Sequence, residues 1–382
     1  MVLRQSQNFG ESPVNTVLTL TKYYYILING FTKPLAVERI YKMGVTIKDV
    51  ARLSRVSIGT VSHVSNEVPT VDRVIRKRVL KAIRELNYKP NRVAKSLVTG
   101  QSQTLAFIIP DICNPFFPEM VQAATDKAGE FGYSLFLGNI GRHPKREIEF
   151  IRNFISQGVD GLIIATSDYS DYSAEELDQV KAIDLPIVMV DRDIPSLDQD
   201  LVILDNVRSA QIVMTHLVNL GFRQIGMIMG PLKTLTARER LEGGRRILQE
   251  KGLYREDLIY CGDFTFENGF QTMSKWLAEG KKIEAVFCAD DMIAIGAMKA
   301  IDQMGYRIPE DIAVTGFDDL YLSSLLKPPL TAIHQPIYDL GSIAVQMVIE
   351  RIQGKAPQLP RKVVICGELV IRGSTVKPSN TI

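Results

Sequence analysis

Residues 46–66 read TIKDVARLSRVSIGTVSHVSN, and this stretch decides the fold of the N-terminal part of the chain. Thr46 suits a helix N-cap, and Asp49 stands three positions on, where an acid closes a capping box. A short helix through Val50, Ala51 and Leu53 follows. Arg55-Val56 reads as a turn. Ser57 is a second N-cap, opening a helix through Thr60, Val61 and Val64. Two short helices joined by so tight a turn make a helix-turn-helix. Ala51 is small where the helices cross, and Val56 and Val61 are apolar where the pair needs a core.

Working outward, Asp72 caps a third helix whose apolar residues Ile75, Val79, Ile83 and Leu86 fall on one face. Arg73, Arg76, Lys77, Arg78, Lys81 and Arg84 cover the rest. Such a run fits a solvated face or a phosphate-binding one. From Thr46 to Ser102 there are 12 Lys and Arg against 4 Asp and Glu, whereas from Gln103 onward there are 28 against 37. The net charge of +2 hides this division. A basic unit on an acidic body points to a polyanion-binding module joined to a domain that binds something else.

The helix-turn-helix stretch, followed by LNYKPNRVAKSL at residues 86–97, resembles the headpiece of the lactose-repressor (LacI/GalR) family of bacterial regulators. The resemblance implies that the second helix enters the major groove. Ile58, Gly59 and His63 then face base edges, Ser57, Thr60 and Ser62 contact phosphates or cap the helix, and Asn66 joins the DNA-contacting set. Ile58 has the chemistry to touch a thymine methyl and His63 to donate to guanine, while Gly59 lets the backbone approach. The bland reading of His63 is a phosphate contact without base selectivity. Arg55 departs from the family, which has Gly in the turn; a positive φ there would carry strain. Residues 90–97 match the family's hinge helix, too short to be stable alone. The match implies a helix that forms on DNA, with Leu97 wedged into the minor groove and Arg92 and Lys95 beside phosphates.

In the acidic body, apolar runs alternate with helix-length segments. The runs are Leu105–Pro110, Ser134–Gly138, Gly161–Ala165, Pro186–Asp191, Ile225–Met229, Ala285–Ala289 and Ile312–Gly316; Pro118–Phe131 and Ser209–Gly221 are among the helices. Continuous short strands with helical crossovers predict parallel sheets covered on both faces. There are too many for one ordinary sheet, so two α/β lobes are expected, with a ligand cleft between their strand ends. Polar residues punctuate those ends: Asp111 to Phe117, Asp191-Arg192, Gly230 to Arg240, Asp290-Asp291 and Phe317-Asp318-Asp319. Carboxylates, guanidinia and aromatic rings together suit a polyhydroxylated ligand.

These motifs resemble the same family's effector domain, similar to periplasmic sugar-binding proteins, over residues 104–374. The match includes GDFTFENGF (262–270), FCADDMIAIGAM (287–298), GFDD (316–319) and LTAIHQP (330–336). It implies ligand contacts at Phe116, Phe117, Asp191, Arg192, Thr236, Arg240, Phe264, Asp290, Asp318 and Gln335. For each carboxylate the alternative is a helix cap or a strand-end hydrogen bond; Asp291 reads as the N-cap of its helix, and Phe264 could be plain core. Thr234 stands where purine-binding members carry Arg, which favours a sugar or sugar derivative. Nothing on the surface marks a site for a phosphorylated carrier protein.

The expected fold is therefore a small all-α helix-turn-helix headpiece at 46–89, a hinge at 90–102, and a two-lobed, periplasmic-binding-protein-like α/β domain with parallel sheets at 103–382. The expected function is a ligand-controlled, sequence-specific transcriptional regulator acting as a repressor, with palindromic operator DNA and a small molecule as partners. A homodimer without a tetramerising coiled coil is expected, since two headpieces must meet a two-fold operator. A solute-binding protein is the alternative; the basic headpiece and the absence of an export signal weigh against it. No catalytic carboxylate pair is marked, so no enzyme activity is expected. No metal or cofactor is expected either. Cys113, Cys261, Cys288 and Cys366 read as buried free thiols and, with four unclustered histidines, fit a reducing cytoplasm. The YYYILINGF run at 23–31 is too short to span a membrane. The natural start is expected near Met43, with residues 1–45 an extension that is disordered or lies upstream of that start.

Overall fold

The computed structural model describes residues 45–65, 68–89, 100–141, 144–165, 173–194 and 197–376. Asn66, Arg92, Lys95 and Leu97 lie outside the described residues, as do residues 1–44. The chain forms two compact units that divide between Asn91 and Arg92.

The first unit holds α1 (Ile47–Ser54), α2 (Ile58–Ser65) and α3 (Arg73–Glu85). The Asp49 carboxylate accepts from the backbone N–H and the hydroxyl of Thr46 at 3.0 and 2.8 Å, as the capping box requires. Ser57 Oγ accepts from Thr60 N–H at 3.0 Å and starts α2. Asp72 accepts from Val74 and Ile75 N–H and starts α3. Between α1 and α2 the chain turns through Arg55 at φ 51° and ψ 48°, a left-handed conformation. Val50, Val61 and Val79 are fully buried, and Ala51, Val64 and Ala82 complete a small core. Ile75, Ile83 and Leu86 pack half-buried against it on the face predicted for α3. Arg76 donates to the Val68 carbonyl at 2.6 Å, so this arginine of the basic run is tied into the fold.

The second unit alternates strand and helix. Its first elements are β1 (Thr104–Ile109), α4 (Phe116–Glu130), β2 (Ser134–Asn139), α5 (Pro144–Ser156), β3 (Gly161–Ile164), α6 (Ala174–Lys181), β4 (Ile187–Val190) and β5 (Asp200–Leu204). Then come α7 (Asn206–Asn219), β6 (Ile225–Met229), α8 (Leu235–Glu250), β7 (Ile259–Cys261), α9 (Phe266–Ala278), β8 (Ala285–Cys288), α10 (Asp291–Gln303) and β9 (Ala313–Asp318). β10 (Thr331–His334), α11 (Ile337–Ile352), β11 (Lys362–Ile365) and β12 (Glu368–Val370) close the unit.

Among the described residues two six-stranded sheets result, ordered β11-β5-β4-β3-β1-β2 and β12-β10-β9-β8-β6-β7. All pairings are parallel except β10 with β12, an antiparallel edge on the second sheet. The central strands β3, β4, β8 and β9 bury every residue, which is why they read as continuous apolar runs. α4 and α11 pack on one face of the first sheet, and α5 and α6 on the other. The chain passes between lobes at three places: β5 to α7, β10 to α11, and β11 to β12. Leu320, just past β9, packs into the first lobe's core, so the lobes also share a side chain.

Several expectations are corrected here. β5, β7, β10, β11 and β12 were not anticipated. α4 begins at Phe116 and α7 at Asn206, earlier than expected: Asp205 caps α7 by accepting from Arg208 N–H, and ahead of Pro115, the N-cap of α4, Asn114 accepts from Phe116 N–H. Only Cys288 is buried; Cys261 is half-buried, and Cys113 and Cys366 are exposed beyond strand ends. Among the described residues no helix is long and apolar enough to cross a membrane.

Candidate functional site

At about 100° per residue, Ile58, Gly59, Ser62 and His63 share one face of α2, and Val61 and Val64 take the other. The two valines fill the small core, leaving Ile58, Gly59 and His63 exposed. Ile58 keeps 45% of its surface in water, costly for an aliphatic side chain with no other use there. A Cβ added at Gly59 would meet only Ser57 Oγ, at 3.7 Å, so packing inside the unit does not demand glycine. Ser57 and Thr60 hydrogen-bond to each other at 2.9 Å, which fixes the N-terminus of α2. Ser62 is half-buried beside them.

The cleft is assembled at the carboxyl ends of strands from both sheets. Asn114, Phe116 and Phe117 come from the β1–α4 junction and Asp191-Arg192 from the end of β4. Thr236 and Arg240 lie on α8, Phe264 follows β7, Asp290 follows β8, and Asp318 ends β9; together they line one cavity. Nine of the ten expected ligand residues meet there. Only about 20 Å³ between their side chains is wide enough for water, roughly the room one water needs.

Its polar groups are buried and mutually engaged. Arg240 donates from Nε to Asn206 Oδ1 at 2.9 Å and from Nη1 to the Ala289 carbonyl at 2.6 Å, and its Nη1 lies 3.5 Å from Asp318 Oδ1. The guanidinium also sits 3.8 Å from the Phe317 ring centre. Burial holds the Asp318 carboxyl well above the usual carboxylate range, with Arg240 opposing the rise and Asp290 and Asp291 adding to it. Asp191 is raised in the same way by burial, against the pull of Arg192 and Arg240. Burial lowers Arg192, whose Nε lies 3.3 Å from Asp191 Oδ2. The Arg192 guanidinium carbon is 5.9 Å from the Phe117 ring centre and 5.8 Å from that of Phe264. Phe116 meets Phe117 edge to face at 5.1 Å.

The backbone is bent to make this site. Asp191 has φ 64° and Asp318 φ 117°, conformations that L residues rarely adopt. Gly230, at the end of β6, leaves room for Phe264: a Cβ there would lie 2.4 Å from the ring.

Two readings are revised. The N-cap of α10 is Asp290, whose Oδ1 accepts from Ile293 N–H at 2.7 Å; it is not Asp291. Asp290 therefore combines a cap with a place in the cavity wall. Asp291 is the first residue of α10, where its carboxylate accepts from Leu320 N–H at 2.7 Å and Ser323 Oγ at 2.5 Å. Gln335 is not in the cavity wall. At the β10 to α11 crossing, its amide donates to Asp318 Oδ1, holding that carboxylate from behind. Asn114 was missed; its Oδ1 accepts from Phe116 N–H at 3.0 Å, and the DICNPFF stretch placed it two residues before a chosen one.

Known proteins resemble both units. A family model described as bacterial regulatory proteins, lacI family, matches residues 46–91, and one for a periplasmic binding protein-like domain matches residues 214–375. An HTH-type transcriptional repressor PurR of Aliivibrio salmonicida is 36% identical over 81% of this chain and 93% of its own. A ribose operon repressor of Halalkalibacterium halodurans is 34% identical over 88% and 98%. Among solved structures, the Lac repressor dimer bound to operator and the anti-inducer ONPF is 30% identical. It superposes with a TM-score of 0.78 over 87% of this chain and 100% of that one. With this headpiece, this two-lobed body and these relatives, the chain belongs to the lacI family of bacterial regulatory proteins and is a DNA-binding transcriptional regulator.

Proposed function

We propose that the protein is a homodimeric repressor whose grip on a palindromic operator is set by a small polyhydroxylated molecule, a sugar or sugar derivative, held in the cleft. The observation that carries this reading is the pairing on one chain of an exposed Ile58-Gly59-His63 face with a buried cavity where three phenylalanine rings, two guanidinia and three carboxylates meet. Residues 46–89 form the DNA-binding unit, 90–102 the hinge with Arg92, Lys95 and Leu97, and 103–382 the effector and dimerisation body. Ser57, Thr60, Ser62 and Asn66 position α2 on phosphates, while Ile58, Gly59 and His63 read bases.

Coupling runs through the first lobe. The Asp160 carboxylate accepts from Ser102 N–H, Ser102 Oγ and Gln103 N–H at 2.8 to 3.0 Å, anchoring the entry of β1 at the lobe edge opposite the cleft. A ligand that binds one arrangement of the lobes better shifts the population towards it and changes the spacing of the paired hinges. Linkage makes this reciprocal: operator alters effector affinity by the same factor.

The test is fluorescence anisotropy with palindromic duplexes from the gene's own neighbourhood, at low salt, with and without sugars. Binding to one duplex that shifts with a sugar supports the reading; no binding to any duplex defeats it.

A further inference from the structure

We infer that Leu320 is the positioning residue that holds the two lobes in register and carries a change in the cleft to the first lobe. This deepens the allosteric reading above and rests on the cleft being the effector site.

Leu320 lies where the chain does not cross between lobes. β9 ends at Asp318, a short 3-10 turn follows at Tyr321–Ser324, and the chain returns along β10, next to β9 in the second sheet. The backbone of Leu320 belongs to that second lobe. Its N–H donates to Asp291 Oδ2 of α10 at 2.7 Å, and its carbonyl accepts from Ser323 N–H at 2.8 Å. Ser323 Oγ donates to the same Asp291 oxygen at 2.5 Å, so the turn is closed on one carboxylate. The side chain belongs to the other lobe. It is 3% exposed and shares a buried cluster with Phe116 and Phe117 of α4, Leu105 and Phe107 of β1, and Leu340 of α11.

Such a peg does what the covalent crossings cannot. The three connecting segments keep the lobes together, but a few residues in such a connection absorb a rotation in their φ and ψ. A leucine in a close-packed socket resists rotation, because tilting the lobes withdraws it or forces its neighbours off their rotamers. Packed contacts of this kind settle into discrete arrangements and do not deform continuously. Withdrawal also exposes apolar surface to water.

Both ends of the peg meet the cleft. Asp318, two residues before Leu320, is part of the cleft wall and is held by Arg240 and Gln335. Asp319, between them, accepts from Arg372 at 2.5 Å and lies 3.2 Å from His334 Nδ1. Asp290, also in the wall, directly precedes the Asp291 that holds the Leu320 amide. On the first lobe, Phe116 and Phe117 line the cleft and belong to the cluster that receives Leu320. A group that draws on Asp290 or Asp318 shifts the base of the peg, and one that presses on Phe117 shifts its socket. From the socket β1 leads back to Thr104, beside the Ser102–Asp160 anchor at the entry of the lobe.

The test is the distance between the lobes, measured by pulsed electron paramagnetic resonance on the full chain. Nitroxides are carried on p-acetylphenylalanine at Asn153 of α5 and Gln249 of α8, both exposed. Excess unlabelled chain removes distances between protomers. Leu320→Ala is expected to broaden the distance distribution at least about two-fold, because the socket no longer selects one arrangement. Leu320→Met, a volume-conserving change, should keep the native width. Leu340→Ala is the control. It empties the same cluster from α11 in the first lobe, so it should lower the melting temperature without broadening the distances. An unchanged width in folded Leu320→Ala overturns the inference. So does equal broadening in Leu340→Ala, which would make Leu320 an ordinary core residue. If Leu320→Ala does not fold, Leu320→Val replaces it with a smaller expected broadening, and an unchanged width there overturns the inference too. Operator anisotropy separates this inference from the function it builds on. Where wild-type binding to a duplex shifts with a sugar, the shift should shrink towards nothing in Leu320→Ala while titration shows the sugar still bound; a full shift overturns the inference. Where the wild type binds no duplex, the regulator reading falls and the distances still decide the role of Leu320.

Discussion

The exposed face of α2 and the cleft of the body solve opposite problems. On α2 the residues proposed to work are left in water, and two valines one turn apart hold the helix that presents them. In the cleft the working residues are charged and buried, and each is held by others far away in the chain. Arg240 leans on Asn206, Ala289 and Asp318, and Gln335 holds Asp318. The headpiece can therefore change what it reads at little cost to its fold. The cleft cannot change what it binds without touching the stability of two lobes.

The largest expected effect breaks that contrast if it fails. Arg240→Met removes a buried guanidinium and leaves Asp318 without its cation and the Ala289 carbonyl without its donor. Breaking a buried pair in this way costs about 3–5 kcal/mol. Chemical denaturation should show that loss in the body, along with loss of the effector response. His63→Ala on the exposed face should move stability by less than about 0.5 kcal/mol. Equal losses from the two variants would mean that the cleft is no more interdependent than the helix face.

Acidity sharpens the same contrast. Burial lifts the Asp291 carboxyl to about 7, against the hydrogen bonds from Ser323 and Leu320, with Asp290 and Asp319 pushing it further up. A folded-state value above the unfolded one means that folding favours the protonated acid. The stabilisation is complete below the unfolded value near 4 and is lost as pH rises through about 7. The body should therefore lose stability between pH 5 and 7, by up to about 1 kcal/mol per pH unit from this group. Asp291→Asn imitates the protonated acid and should flatten the slope. Thermal melts across that range decide it, and a slope unchanged by the substitution would remove Asp291 as its source.

The contrast also explains what the sequence made legible. The headpiece is local: its caps, turn and valines all lie between Thr46 and Val79, and the pattern survives in the letters. The central strands were readable because burial on both faces leaves uninterrupted apolar runs. β7, β11 and β12 are short edge strands with partly exposed residues, so they carry no such run. β5 opens on Asp200, a residue strands avoid. Its buried carboxylate is held by Arg351 and Arg361 at 2.6 and 2.7 Å, more than 150 positions away. The cleft residues could be found because strand ends in α/β sheets must carry the site. Which of two adjacent acids caps α10 could not be read from the letters, because the answer lies in a bond from Leu320 to Asp291 across 29 residues.

A smaller effect tests whether the exposed face is kept for DNA. Gly59→Ala fits the open space around that position. In a helix alanine is favoured over glycine by up to about 1 kcal/mol. The headpiece should therefore become slightly more stable while operator affinity falls at least several-fold, because a methyl group now keeps the backbone from the groove. Hydrogen exchange at Val50, Val61 and Val79 reports the first effect and anisotropy the second. Affinity that holds or rises with stability would show that Gly59 does not approach the base pairs.

Arg55 is the smallest case and the one where fold and function pull apart. Its φ of 51° is the left-handed conformation, which costs a residue with a side chain roughly 1–2 kcal/mol. Glycine gives part of that back through the entropy of the unfolded chain. Arg55→Gly should therefore stabilise the headpiece by only about 0.5 kcal/mol, a few degrees in its melting transition. The side chain is exposed and carries a positive charge beside the start of α2. If that charge meets a phosphate, the slope of log affinity against log salt should fall by about one when it is removed. A more stable headpiece with a shallower salt slope would mean that the strain is held for DNA. A more stable headpiece with an unchanged slope would mean that the turn carries its strain without any return in binding.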